Sequence, residues 1–88
     1  MYKPYQKTGR FLKVIRMRHT LSQGETAEKL KISKSYYCEI EKGVKFPIDK
    51  KFILKLESFL DFDTQDLVDR LKKEYLQHKK YLFERIYR

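Results

Sequence analysis

Cysteine is almost missing from this chain. Cys38 stands alone among 88 residues, so neither an intrachain disulfide nor a cysteine-based zinc site can form. A reducing compartment fits that usage. Glycine is scarce too: Gly9, Gly24 and Gly43 are too scattered to cradle a phosphate group. The two histidines, His19 and His78, lie far apart and have no Asp, Glu or Cys at ligand spacing, so no metal and no cofactor are expected. No grouping of nucleophile, base and orienting residue is present, and the chain is not expected to be an enzyme. No apolar run approaches membrane-spanning length, and the N-terminal Met-Tyr-Lys-Pro-Tyr-Gln-Lys lacks the apolar stretch of a signal peptide. These absences predict a soluble, cytoplasmic protein without membrane contact. Internal repeats and low-complexity tracts are missing as well.

What the chain does have is positive charge, unevenly placed. Lys and Arg number 21 against 12 Asp and Glu, a formal charge of +9. Residues 1–51 hold 13 basic and 5 acidic side chains, whereas residues 52–88 hold 8 and 7. A bias toward Lys, Ile and Tyr (Ala27 is the only alanine) would supply lysines everywhere and leaves this asymmetry unexplained. A positive field confined to one half is the footprint of a polyanion binder.

The basic half contains the most informative stretch, LSQGETAEKLKISKSYYCEIEKG, from Leu21 to Gly43. Ser22 and Glu25 have capping-box spacing, and Ala27 and Leu30 share a helical face. Lys31-Ile32-Ser33 breaks the period, with Ser33 as a second N-cap. Tyr37, Ile40 and Glu41 then recur at i, i+3 and i+4, until Gly43 ends the helix as a left-handed residue. The second helix carries Lys34, Ser35, Cys38, Glu39 and Lys42 on its outer side. That is the outline of a helix-turn-helix.

The rest of the chain reads as support. Residues 1–8 form an arm, either frayed or wrapped on DNA. A first helix runs from about Gly9 to His19, with Arg16 in the stripe of Leu12, Ile15 and His19. Asp49 caps a fourth helix that buries Phe52, Ile53, Leu56, Phe59 and Leu60, with Ile48 and Ile53 as a staple. Asp63 caps a last helix from near Thr64, along which Leu67, Leu71, Tyr75, Leu82 and Ile86 keep helical spacing and His78 fills the gap. The expected fold is all-α: five helices, with residues 9–71 as the DNA-binding domain and residues 72–88 as an extended C-terminal helix.

Ile15-Arg16, Leu21-Ser22-Gln23, Ala27, Leu30, Ile32-Ser33, Ser35-Tyr36, Glu39-Ile40-Glu41, Gly43, Pro47 and Lys55-Leu56 together resemble the lambda repressor and Cro helix-turn-helix family, also called the XRE family. The likeness spans roughly residues 9–71. It implies a sequence-specific transcriptional regulator binding double-stranded DNA as a homodimer, with residues 33–42 as recognition helix. Lys34, Ser35 and Glu39 are then the base-contacting candidates, lysine for guanine, serine for several bases and glutamate for cytosine N4. An equally plain role for Glu39 is pairing with a nearby lysine. Gln23, Tyr36, Lys42 and Lys45 are the backbone-contacting candidates, with Gln23 also buttressing the recognition helix. Arg16 and Glu41 occupy the positions of a family ion pair between the first helix and the recognition helix. Lys31 departs from the family pattern, because glycine is common at that turn. Thr26 and Tyr37 replace aliphatic residues, and Tyr37 is expected either to fill a core gap with its hydroxyl at the rim or to push the helices apart.

Residues 72–88, KKEYLQHKKYLFERIYR, are too apolar for an idle appendage. Self-association through Tyr75, Leu82, Phe83 and Ile86 is one reading, folding back on the monomer a second, and membrane-surface docking a third. A rival function is that of an antitoxin-type module that holds a protein partner, a toxin or an anti-repressor, through this helix. Cys38, on the DNA-facing helix, is either incidental or a redox switch.

Overall fold

The computed structural model describes residues 2–86, with side chains described through Leu82. Five helices follow one another: α1 (Gln6–Arg18), α2 (Gln23–Leu30), α3 (Lys34–Lys42), α4 (Lys50–Phe59) and α5 (Thr64–Ile86). Among the described residues there is no strand.

The caps lie where short polar residues precede helical periods. Ser22 Oγ accepts from Glu25 N–H at 3.0 Å while Glu25 Oε1 accepts from Ser22 N–H at 3.0 Å, a complete capping box. Ser33 Oγ accepts from Tyr36 N–H at 3.1 Å, Asp49 from Lys51 N–H at 2.9 Å, and Asp63 from Gln65 N–H at 3.0 Å. Ile48, expected to staple the start of α4 with Ile53, is 49% exposed, while Ile53 packs against the core. Lys31 and Gly43 both end their helices in the left-handed region, at φ 59° and 83°. Thr20 is also left-handed, at φ 54°, in the α1–α2 turn one residue beyond the His19 cap of α1, where nothing in the sequence announced it.

One core joins all five helices. Leu12 and Ile15 of α1, Ala27 and Leu30 of α2, Tyr37 and Ile40 of α3, Leu56 of α4 and Leu67 and Leu71 of α5 are buried together. The hydroxyl of Tyr37 is buried with its ring rather than carried to the rim, and it has no hydrogen-bond partner among the described residues. Thr26 solves the same problem locally, because its hydroxyl donates to Ser22 O at 2.9 Å. His19 is a pin between elements: its Nδ1 lies 2.9 Å from Ile15 O, and its Nε2 accepts from Asp61 N–H at 3.1 Å.

Two expectations change at the ends of the chain. α1 begins at Gln6 rather than Gly9, and Tyr5 and Thr8 are buried rather than part of a loose arm. The reason is a cap supplied from far away. Tyr5 offers no side-chain acceptor, but Glu74 of α5 accepts from Lys7 N–H at 3.0 Å, Thr8 N–H at 2.7 Å and Thr8 Oγ1 at 2.5 Å. Open donors at a helix start are thereby satisfied by a buried carboxylate. The second change follows from the first. The inward stripe of α5 runs Leu67, Leu71, Glu74, His78 and Tyr81, not through Tyr75 and Leu82. Tyr2 stacks on Tyr81 with centroids 4.1 Å apart, and Tyr5 meets His78 edge-on at 6.0 Å. The N-terminal residues therefore fold back onto one face of α5 and leave its flank open.

Candidate nucleic-acid interface

α3 owes its attitude to α1, which lies across its back. Gly9 sits so close to the carbonyls of Ile40 and Glu41 that a Cβ there would collide with backbone. Tyr5 N–H donates to Gly43 O at 2.9 Å, and a Cβ on Gly43 would strike the backbone of Gln6. Farther along the same crossing Arg16 Nε meets Glu41 Oε2 at 2.5 Å and Arg16 Nη2 meets Glu41 Oε1 at 3.2 Å, a two-pronged pair with both side chains nearly sealed. The remaining prong of Arg16 donates to Leu21 O at 2.7 Å. One guanidinium thus ties α1, the α1–α2 turn and α3 together.

Electrostatics follow from that geometry. Burial pushes the Glu41 carboxyl up, but the hydrogen bonds from Arg16 and Gln23 outweigh it and hold the group below the ordinary carboxylate range. The bond to Glu41 raises the Arg16 guanidinium further, so the pair stays ionised. Burial, with the Glu41 carboxylate nearby, pushes the Tyr37 phenol well above its usual value.

Gln23, the first residue of α2, is held between helices. Its Nε2 donates to Glu41 Oε1 at 3.0 Å, and its Oε1 accepts from Cys38 Sγ at 3.2 Å. Both ends of the amide are oriented by α3. Cys38 is accordingly half-buried against α2 rather than on the open face where the sequence alone had placed it.

The outward face of α3 is open. Lys34, Ser35 and Lys42 are exposed, and Glu39 and Tyr36 are half-buried. Tyr36 leans toward the core beside Leu30, Ile32, Pro47 and Phe52. Glu39 Oε2 lies 3.2 Å from Lys45 Nζ, both partly in solvent, so the glutamate has a cation partner of the easily exchanged kind. The structure thus brings Lys34, Ser35, Glu39, Lys42 and Lys45 onto or beside one exposed helix, and places Arg16, Glu41 and Gln23 behind it. Glu74 and His19, which fix the helices that carry this face, were missed as functional supports. Glu74 had a signal, since it falls three residues after Leu71 and seven after Leu67 on the inward stripe.

The helix-turn-helix family model HTH_3 matches residues 12–67. The chain belongs to this family, the XRE or lambda repressor and Cro type. As such it is a DNA-binding transcription regulator. The matched span runs from the middle of α1 to the first turn of α5 and leaves the C-terminal part of α5 outside. Neither a curated protein nor a solved structure matches the chain. Among the described residues no helix is long and apolar enough to cross a membrane, and no cluster of His, Cys, Asp or Glu could hold a metal.

Proposed function

We propose that this XRE-type regulator is a dimeric repressor that occupies an operator with α3 in the major groove. Lys34 and Ser35 in the first turn, with Glu39 one turn on, read base edges. Lys42 and Lys45 follow the phosphate rail, with Tyr36 and the α2 end carrying Gln23 beside them. The observation that carries this reading is the open, cationic front of a helix whose back is fixed by a buried Arg16–Glu41 pair.

The dimer rests on α5. Tyr75, Leu76 and Leu82 are 38%, 65% and 43% exposed on the flank that the N-terminal residues leave free. Phe83 and Ile86, assigned to the same contact from the sequence, lie outside the described side chains. A two-fold axis through this flank would set two recognition helices about 34 Å apart, one DNA turn. The same apolar flank suits a protein partner, which keeps the antitoxin reading as the alternative.

Selection of sites from random duplexes at two salt concentrations tests the proposal. Enrichment of a pseudo-palindrome and a steep fall in affinity with salt are expected; binding without enrichment overturns it. Sedimentation of Tyr75→Ser combined with Leu82→Ser, which leaves the Glu74 cap intact, tests the dimer. A variant that remains dimeric excludes this flank as the main contact.

A further inference from the structure

The front of α3 does not account for all of the positive charge. The first acidic residue of the chain is Glu25, and the residues before it hold Lys3, Lys7, Arg10, Lys13, Arg16 and Arg18. Of these only Arg16 is in an ion pair among the described residues. Helical spacing puts Lys7, Arg10, Phe11, Val14, Met17 and Arg18 on one stripe of α1, on the side turned away from Gly9 and Arg16, which meet α3. The stripe runs for about 16 Å, three helical turns.

It is also not a uniformly polar surface. Val14 is 49% and Met17 59% exposed between the cations. Beside them α1 and α5 enclose a groove of about 550 Å³ lined by Lys7, Arg10, Phe11, Val14, Arg18 and Arg70, with Ile15 and Asp66 completing it. Arg70 closes one wall: its guanidinium lies over the Phe11 ring at 4.8 Å and bonds Asp66 at 3.0 Å, so the one carboxylate in the groove is already neutralised. Arg10 and Arg18 are left beside Phe11, Val14 and Ile15, while Lys7 stands at the end of the groove, where a second one lined by Asp66, Asp69 and Glu74 begins.

We infer that this α1–α5 groove docks an acidic amphipathic segment of another protein, about three helical turns long, while α3 holds DNA. Carboxylates spaced one turn apart answer Lys7, Arg10 and Arg18, and an apolar side chain covers Phe11 and Val14. DNA is the poorer occupant, because phosphates gain nothing from Val14 and Met17. A second copy of this chain is the other candidate, since Glu57, Asp61, Asp63 and Asp69 make its α4–α5 corner acidic.

The test is an amide correlation titration of the full chain with a synthetic three-turn helical peptide that has Glu on one face and Leu on the other. A polyglutamate of equal length serves as the charge-only probe. Shifts confined to residues 7–18 and 66–73, undiminished by a saturating duplex, are expected from the amphipathic peptide and not from polyglutamate. Arg10→Glu with Val14→Asp, both on exposed positions, should weaken that binding about tenfold or more. Four results overturn the inference: shifts centred on α3, equal binding of polyglutamate, no shifts at millimolar peptide, or peptide-free, concentration-dependent shifts pairing the groove with residues 57–69 of a second copy.

Discussion

The α2–α3 unit and the C-terminal helix are held by opposite kinds of contact. Within the unit each cap spans three residues, Ser22 to Glu25 and Ser33 to Tyr36, and Ile32 N–H returns to Ala27 O at 3.0 Å. α5 is fastened instead by Glu74 to Thr8, 66 residues away in sequence. The first arrangement makes a reading head whose local shape is written into its own residues. The second makes the orientation of that head depend on the far end of the chain, because Glu74 holds α1 and α1 backs α3. The Arg16–Glu41 pair stands where the two arrangements meet.

Arg16→Met should break the most. It leaves Glu41 buried without its cation, at a cost of about 3–5 kcal/mol. For a domain of this size the melting temperature should fall by more than about 10 °C, and a fall of a degree or two would refute the assigned weight of the pair. Loss of DNA binding would follow from loss of fold.

Glu74→Ala separates the two regions more sharply. It strips three donors of their acceptor, two of them on buried Thr8, and should cost about 2–3 kcal/mol. Amide hydrogen exchange should rise at the first turn of α1 and along α5 while the caps of α2 and α3 keep their protection. Uniform loss of protection would mean that the regions do not differ as described.

The smallest effect belongs to the turn. Lys31 is exposed at φ 59°, so Lys31→Gly relieves backbone strain and removes no packing. Allowing for the extra freedom glycine has when unfolded, a gain of about 0.5–1 kcal/mol in urea denaturation is expected. A loss would show that the lysine side chain contributes something its exposure does not reveal.

The same contrast explains what could be read from the letters. Ser22, Ser33, Asp49 and Asp63 act on donors two or three residues away, so their roles are visible in a short window of sequence. Arg16 and Glu41 stood out as charges on core-facing stripes, a pattern that asks for a partner. The start of α1 was placed late, because its cap comes from Glu74 and no residue near Tyr5 betrays it. Tyr75 and Leu82 were drawn into one apolar series with Leu67 and Leu71 because the spacing allows it; the core side of α5 instead continues through the buried Glu74, and both lie exposed beside it. Cys38 was read as outward for want of any sign that Gln23 would bend its amide toward it.

The bond between Glu74 and Thr8 also fixes an order of events. Sixty-six residues must be made after Thr8 before its acceptor exists, so a growing chain holds all of α2 and α3 well before it can fasten the helix behind them. A product cut short before residue 74 would hold the whole of α3, backed by a first helix whose opening turn is left unfastened.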